Sequence, residues 1–152
     1  MQSGKKLKLI LDQNVLDEYN KYYFSKYPRR KKAPIERPIH ESINQWMIKP
    51  RPIMNDLKQR WKEFICWWVK REHLDNKQLS KFNMTFTTFM PTKRRCDPDN
   101  TVPKFILDGF TESGFIVDDD GRHLCSLTLK ADYDKDNPRT EIEIEVIEDD
   151  EI

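Results

Sequence analysis

The segment from Ile53 to Leu74 constrains the fold of this chain most. Its apolar residues recur at the spacing of one face of an α-helix, with basic residues between them. This pattern predicts a long amphipathic helix whose tryptophans anchor a core or a subunit interface. The apolar members of the stripe are Ile53, Leu57, Trp61, Phe64, Ile65 and Trp68. Cys66, Trp67 and Val69 widen the stripe, which indicates that the helix also meets a second chain.

Four other segments have the pattern of β-strands, and one more has the pattern of a helix. The predicted strands are residues 6–11, 82–90, 123–130 and 139–147. In the last strand, isoleucine and valine alternate with glutamate, so one face is apolar and the other acidic. Residues 103–112 are predicted to be helical because proline is favoured in a first helical turn. This order predicts an α+β fold (α/β), with a small mixed or antiparallel sheet flanked by two main helices.

The chain has 152 residues, enough for one domain with a hydrophobic core and too few for two, so we expect a single domain over residues 1–152. Residues 12–52 hold five of the nine prolines and the run Arg29-Arg30-Lys31-Lys32, which predicts a long basic loop. Its tyrosines and cations suit nucleic acid, because cations neutralise phosphates and aromatic rings stack on bases. The alternative is a solvated basic loop whose tyrosines pack on the core. Residues 148–152 are predicted to be an acidic, solvated tail.

The net charge of +1 conceals a polarised chain. Residues 1–95 hold 22 Lys and Arg against 9 Asp and Glu, giving +13, whereas residues 96–152 hold 5 against 17, giving −12.

No segment approaches the roughly 18 to 20 apolar residues of a membrane span, and the N-terminus lacks a signal peptide, so we expect a cytoplasmic protein without membrane contact. The cysteines, Cys66, Cys96 and Cys125, lack paired spacing, which predicts reduced and mostly buried thiols.

The stretch Lys93-Arg94-Arg95-Cys96-Asp97-Pro98-Asp99-Asn100 carries the first candidate site. In an extended segment, Asp97 and Asp99 would point to the same side. Two close carboxylates repel each other and favour a hard cation, Mg²⁺ or Mn²⁺, between them. The alternative is that Asp99 or Asn100 caps the helix that follows.

A second acidic cluster strengthens the metal hypothesis. Asp118-Asp119-Asp120 follows a short apolar segment that is expected to return the chain to the same end of the sheet, although a solvated turn is the alternative. Asp108, one helical turn after Lys104, can face the same pocket. Oxygen ligands without histidine or cysteine favour Mg²⁺ over zinc. Metal bound by aspartates beside cations is expected in proteins that hydrolyse or transfer phosphate esters.

Together, these motifs resemble the RusA-type Holliday junction resolvases, small endonucleases that are often phage-borne or prophage-borne. The matching segments are Arg94 to Asn100, Lys104, Asp108-Gly109 and Gly114 to Asp119, so the resemblance is specific over roughly residues 93–130. The resemblance implies a homodimer with a RusA-like fold that binds four-way DNA junctions and cuts two strands of like polarity, using Mg²⁺ or Mn²⁺. It further implies a role in DNA recombination and repair or phage DNA processing, in a bacterium or an infected host cell.

Carried over residue by residue, the resemblance implies that Asp97, Asp99 and Asp119 are the essential acidic residues, with Asp108 and Asp118 as further metal ligands. The catalytic lysine of the family matches Lys104 with a shift of one position. In the usual pattern the lysine comes three residues after the asparagine, where this chain has proline. The later aspartate is displaced equally, which indicates one insertion before the helix.

The candidate DNA-binding residues are Arg29, Arg30, Lys31, Lys32, Lys93, Arg94, Arg95 and Asn100. Two other interpretations stay open. The chain is a non-catalytic nucleic-acid-binding protein whose acidic half docks on a partner, or its nuclease site prefers flaps or forks to four-way junctions. His40, His73 and His123 are too scattered for a histidine-based nuclease and are expected to be surface or packing residues.

Overall fold

The structure is a computed structural model that describes residues 5–94 and 97–147. In chain order, the elements within these ranges are β1 (Lys6–Leu11), α1 (Gln13–Lys26), α2 (Ile43–Trp46), α3 (Arg51–Arg71), β2 (Phe82–Met90), a 3-10 helix (Pro98–Thr101), α4 (Lys104–Ser113), β3 (Leu124–Tyr133) and β4 (Arg139–Val146). No helix in the described ranges is long and apolar enough to cross a membrane. The predicted acidic tail, Arg95 and Cys96 lie outside the described residues.

The strands form one mixed sheet in the order β1-β4-β2-β3. β4 runs antiparallel to both of its neighbours, whereas β2 and β3 are parallel. Parallel neighbours require a crossover connection, and here the 3-10 helix and α4 supply it. The α+β class and the mixed sheet are therefore confirmed. Both acidic motifs of the sequence lie in this crossover, between the end of β2 and the start of β3.

The alternation of apolar and acidic residues in β4 gives the strand one buried and one acidic face, as predicted. Ile142 and Ile144 are fully buried, and they pair with Leu9 and Leu7 of β1 on one side and with Phe86 and Met84 of β2 on the other. The glutamates between them occupy the opposite face, as the period of two requires.

The predicted long helix is α3, and its tryptophans anchor the core as expected. Trp61, Phe64, Ile65 and Trp68 are almost completely buried. α4 crosses α3 closely enough that a Cβ added to Gly109 would lie 2.6 Å from the Cβ of Ile65. Glycine at this position therefore sets the distance between the two main helices.

The prediction of a loop over residues 12–52 is wrong for its first third, which forms α1. Asp12 caps this helix by accepting a hydrogen bond of 3.1 Å from the backbone N–H of Val15. Tyrosines form half of the buried face of α1, beside Val15 and Leu16, and Tyr19 and Tyr23 lie one turn apart within the core. Because tyrosine carries a polar hydroxyl group, the hydrophobic periodicity of this segment is too weak to predict a helix. The alternative interpretation, in which the tyrosines pack on the core, holds for these two residues.

α1 also explains the wide apolar stripe of α3. The ring centroid of Trp67 lies 5.1 Å from that of Tyr19 and 6.2 Å from that of Tyr22. Val69 is buried within the same chain. α1 of the same chain therefore accounts for the width of the stripe at Trp67, and contact of α3 with a second chain stays a prediction. The expectation of mostly buried thiols is wrong, since Cys66 is half-buried and Cys125 is exposed.

The connection from residue 27 to residue 42, which we call the strap, packs against the rest of the fold at several points. Ile35 and Ile39 are buried. The buried hydroxyl of Thr140 in β4 donates a 2.8 Å hydrogen bond to the carbonyl of Pro38. His40, at the end of this strap, is 7% exposed and packs between Trp61 and Phe105. Burial lowers the pKa of His40 to about 4.

We expect Gly109→Ala to destabilise the protein by about 1–2 kcal/mol in urea unfolding. The new methyl group would overlap the branched Cβ of Ile65, so we expect the upper half of the about 1–3 kcal/mol that overpacking costs, less the ~1 kcal/mol gained in helix propensity. Gly121→Ala is the matched control, because nothing lies within 4 Å of a Cβ there, and it should change the free energy of unfolding by less than about 0.5 kcal/mol. Equal effects of the two substitutions would contradict this account.

We also expect the burial of His40 to make stability depend on pH in a defined window. The unfolded chain takes up the imidazole proton near pH 6.5, whereas the folded chain resists it down to about pH 4. The contribution is complete above pH 6.5 and falls as the pH drops toward 4, by up to about 3 kcal/mol. Urea unfolding of the wild type and of His40→Phe across this range should give a flatter profile for the variant. Parallel profiles would mean that His40 titrates normally in the fold.

Candidate active site

The first acidic motif forms a tight turn instead of an extended segment. Asp97 has an extended backbone, but Pro98 begins the 3-10 helix and Asp99 lies in its first turn. Proline is pre-organised for a first helical position, and the Thr101 hydroxyl donates a 2.6 Å hydrogen bond to the Pro98 carbonyl. The prediction that both carboxylates follow an extended chain is therefore wrong at Asp99. The sequence signal for the turn was the proline itself.

The capping alternative for Asp99 and Asn100 is also wrong. The residue at the N-cap position of α4 is Pro103, and no side-chain cap from that residue is present within the described part of the chain. The backbone N–H of Asn100 instead donates a 2.9 Å hydrogen bond to the carbonyl of Asp97. Asp97 and Asp99 are both exposed on the 3-10 helix, which packs against β3 and α2.

Asp108, on the crossover helix α4, lies close to one lysine of α4 and one of α3. Its Oδ1 atom is 3.5 Å from the Nζ of Lys104, one turn earlier on α4. Its Oδ2 atom is 4.0 Å from the Nζ of Lys58 on α3. This Oδ2 is buried, and among the described residues it has no hydrogen-bond partner. The structure thus brings Lys104 and Asp108 together, as the spacing predicted, and leaves one carboxylate oxygen available.

Asp118 and Asp119 belong to the same electrostatic cluster. The backbone N–H of Asp119 donates a 2.7 Å hydrogen bond to the Oδ1 of Asp118. Burial, then a side-chain hydrogen bond with Asp118, raises the pKa of Asp119. The charge of Lys104 opposes this rise and the charge of Asp108 adds to it. We call Lys104, Asp108, Asp118 and Asp119 the acidic cluster. Lys104 contacts Asp108, Asp118 contacts Asp119, and the charges of Lys104 and Asp108 act on the pKa of Asp119.

Asp120 does not share this environment. Its Oδ1 accepts hydrogen bonds from the backbone N–H groups of Arg122 and His123 and lies 2.6 Å from the Nδ1 of His123. The hydrogen bond from His123 lowers the pKa of Asp120. The turn interpretation of the Asp-Asp-Asp motif therefore holds for Asp120, which organises the entry into β3.

A cavity of about 780 Å³ lies beside the 3-10 helix. Arg94, Asp97 and Asn100 line it, so two candidate DNA-binding residues share a surface with a candidate metal ligand. Arg37 of the strap lines the same cavity. Sequence reasoning missed Arg37, because a single arginine in a proline-rich connection carries no local motif. The remaining walls come from Ile39, His40, Ser42, Gln45, Thr88, Met90, Pro91, Thr92 and Thr101.

A comparison with protein-family profiles matches residues 13–145 to the family described as Endodeoxyribonuclease RusA. The chain belongs to the RusA endodeoxyribonuclease family. The match runs from α1 into β4, well beyond the motif-rich residues 93–130 on which the resemblance rested. The family expectation is confirmed, and with it the assignment of this chain to a family of junction-resolving endonucleases. Among curated proteins, none matches the chain.

The donor chemistry of the acidic cluster fits the divalent metal that a RusA-family nuclease implies. Asp108 offers a buried carboxylate oxygen without a hydrogen bond, and Asp118 and Asp119 share a hydrogen bond that a divalent cation would replace. All of these donors are hard oxygens, which suit Mg²⁺ or Mn²⁺. Within residues 5–94 and 97–147, however, no group of three or more His, Cys, Asp or Glu side chains is arranged to hold a metal ion.

The basic run lies on a different surface of this RusA-family fold. Arg30, Lys31 and Lys32 line a cleft of about 960 Å³ between the strap and α3, which shares no lining residue with the cavity at Asp97. Arg30 is held by α1 and its C-cap, because its guanidinium donates a 2.7 Å hydrogen bond to the hydroxyl of Tyr23 and lies 4.0 Å from the ring centroid of Tyr27.

The other predicted DNA-binding residues differ in their surroundings. Arg29, Lys31 and Lys32 are exposed. Lys93 lies 5.4 Å from the ring centroid of Tyr133 at the end of β3. Arg95 lies outside the described residues.

Proposed function

We propose that this RusA-family endodeoxyribonuclease resolves Holliday junctions by metal-dependent, paired hydrolysis of phosphodiester bonds. The observation that carries this proposal is the acidic cluster, which lies with Asp97 and Asp99 in one crossover of a fold whose family consists of endodeoxyribonucleases. Two features of the cluster support a cation site. The Oδ2 of Asp108 is buried without a hydrogen-bond partner among the described residues, and the pKa of Asp119 is raised.

The residues that would hold Mg²⁺ or Mn²⁺ are Asp97, Asp99 and Asp119, with Asp108 and Asp118 as further ligands. Such a cation supplies an activated water and stabilises charge on the phosphate and on the leaving oxygen. Lys104 stabilises the negative charge that develops on the phosphate in the transition state. Asp108 orients Lys104, because its Oδ1 lies 3.5 Å from the Lys104 ammonium nitrogen.

The cavity at Asp97 suits one strand of DNA beside the site of cutting. Arg37 and Arg94 offer cations for the backbone phosphates, and Asn100 offers hydrogen bonds. Contacts of this kind position DNA without reading its sequence, so junction preference would come from branch geometry. A homodimer would match the two-fold symmetry of a four-way junction and place two sites for paired cuts. DNA recombination, repair or phage DNA processing is the corresponding biological role, in the cytoplasm.

We expect Asp99→Asn to abolish Mg²⁺-dependent cutting of a synthetic four-way junction while leaving junction binding intact or tighter. Loss of even an outer-shell partner of a metal costs about 10–100-fold, so loss of a ligand should cost at least about a hundredfold. Binding should not weaken, because a negative charge near phosphates is removed. Gel assays with and without Mg²⁺ measure both properties. Asp136→Asn, in the exposed turn between β3 and β4, is the matched control and should cut like the wild type.

The same gels separate the competing functions. Equal activity of Asp99→Asn and the wild type would contradict the metal assignment. Faster cutting of flaps or forks than of four-way junctions by the wild type would replace the junction with those substrates. Tight binding without metal-dependent nicking of any branched DNA would leave a non-catalytic binding protein.

We expect Lys31→Ala combined with Lys32→Ala to weaken junction binding and to make it less sensitive to salt. Each phosphate contact contributes about 0.9 to the slope of log affinity against log salt, so losing both should reduce the slope by about 1.8. Fluorescence anisotropy without divalent metal measures this slope. The matched control removes two exposed lysines from β3 and the following turn, Lys130 and Lys135. An equal change of slope in both double variants would assign the effect to net charge alone.

A further inference from the structure

The proposed active site has two parts, and one buried side chain lines the first part and binds the helix that carries the second. The first part is the cavity at Asp97 and Asn100, and His40 forms part of its wall. The second part is the acidic cluster on α4 and the following turn. His40 binds the first turn of α4, next to Lys104, because its Nε2 atom accepts a 2.9 Å hydrogen bond from the backbone N–H of Phe105.

The first turn of α4 needs this bond. The first backbone N–H groups of a helix have no partner inside it and are usually capped by a local Ser, Thr, Asp or Asn. Pro103 occupies the N-cap position and provides no side-chain cap in the described structure. The N–H of Lys104 donates to the carbonyl of Val102, and the next N–H, that of Phe105, donates to His40. The cap therefore comes from a residue 65 positions earlier in the chain.

His40 is held in the one form that can provide this cap. Its Nδ1 lies 2.6 Å from the carbonyl oxygen of Glu41, which can only accept, so Nδ1 carries the proton and Nε2 carries the lone pair. The imidazole ring packs against Trp61 at 5.4 Å and Phe105 at 5.0 Å between ring centroids. The side chain of Glu41 accepts a 2.8 Å hydrogen bond from Trp61, which fixes the same segment to α3.

We propose that His40 is a positioning residue of this nuclease: its hydrogen bond to Phe105 fixes the first turn of α4, and thereby Lys104 and Asp108, relative to the cavity at Asp97. This inference rests on the proposed function. Lys104 directly precedes the capped residue, and Asp108 lies one turn later. A displacement of about 1 Å at a reacting group can cost on the order of a hundredfold in rate, so release of this turn should slow cutting.

Two substitutions separate the hydrogen bond from the packing of the ring. His40→Phe keeps an aromatic ring between Trp61 and Phe105 but has no acceptor. His40→Gln has an acceptor of similar reach but no ring. His73→Gln, in the exposed turn after α3, is the matched control. A purely structural role of the ring predicts that His40→Phe is the milder substitution, whereas the positioning role predicts that His40→Gln is.

The experiment combines amide hydrogen exchange at Phe105, measured by NMR, with single-turnover cutting and metal-free binding of a four-way junction. We expect His40→Phe to exchange the Phe105 amide about tenfold faster and to cut about 10–100-fold more slowly, with junction affinity changed by less than about twofold. His40→Gln should recover most of the protection and most of the rate. His73→Gln should match the wild type in all three measurements.

Several results would overturn the inference. The first is that His40→Phe cuts as fast as the wild type. The second is that His40→Phe cuts slowly while exchange at Phe105 is unchanged. The third is that His40→Gln restores exchange at Phe105 but does not restore cutting. If His40→Phe does not fold, His40→Gln decides alone, since near-wild-type exchange and cutting support the cap and loss of either refutes it. If the wild type cuts no branched DNA, the proposed function fails instead. Exchange at Phe105 in the variants then still decides whether His40 caps α4.

Discussion

The close crossing of α3 and α4 is the contact on which the rest of this structure depends. Gly109 lets the two helices approach until Ile65 occupies the space of a side chain. At this distance Lys58 of α3 reaches the carboxylate of Asp108 at 4.0 Å. The same approach places the first turn of α4 against the strap and within reach of His40. A wider crossing would separate the acidic cluster from the lysine on α3 and from the cap on α4.

The acidic residues of the C-terminal half of the sequence lie in two different places in the fold. Part of the acidic half lies in the crossover as the acidic cluster. Another part lies on β4, where Glu141 is 3.3 Å from Lys8 of β1 and accepts a 2.7 Å hydrogen bond from Arg139. The exposed Lys8 contributes little stability through this pair, so the effect of the pair is mainly to neutralise Lys8 locally. Cations of the strap and of the segment after β2 are the ones that we assign to DNA.

Regular elements with one-sided burial could be predicted from the sequence, and elements defined by distant contacts could not. α3, β2 and β4 follow their periodicity because each buries one continuous apolar face. α1 did not follow from the sequence because tyrosines form half of its buried face, and the hydroxyl of Tyr19 is buried without a hydrogen-bond partner among the described residues. The acidic motifs were recognisable by composition. Their geometry was not, because Pro98 starts a helical turn where an extended chain was expected.

The strap shows why the rest of the site escaped sequence reasoning. Pro38 is bound by Thr140, 102 positions later, and His40 binds Phe105, 65 positions later, so neither contact leaves a local pattern. The Oδ2 of Asp108 differs from these atoms, because it is buried and has no hydrogen-bond partner among the described residues, with the Nζ of Lys58 4.0 Å away. A buried acceptor without a hydrogen bond costs about 1–3 kcal/mol, so its retention indicates a use. Under the proposed function, a divalent cation would satisfy this oxygen. α4 is therefore fixed at its first turn by the strap, and one turn later it carries a carboxylate oxygen without a hydrogen-bond partner among the described residues, which is the arrangement expected of a helix that presents ligands.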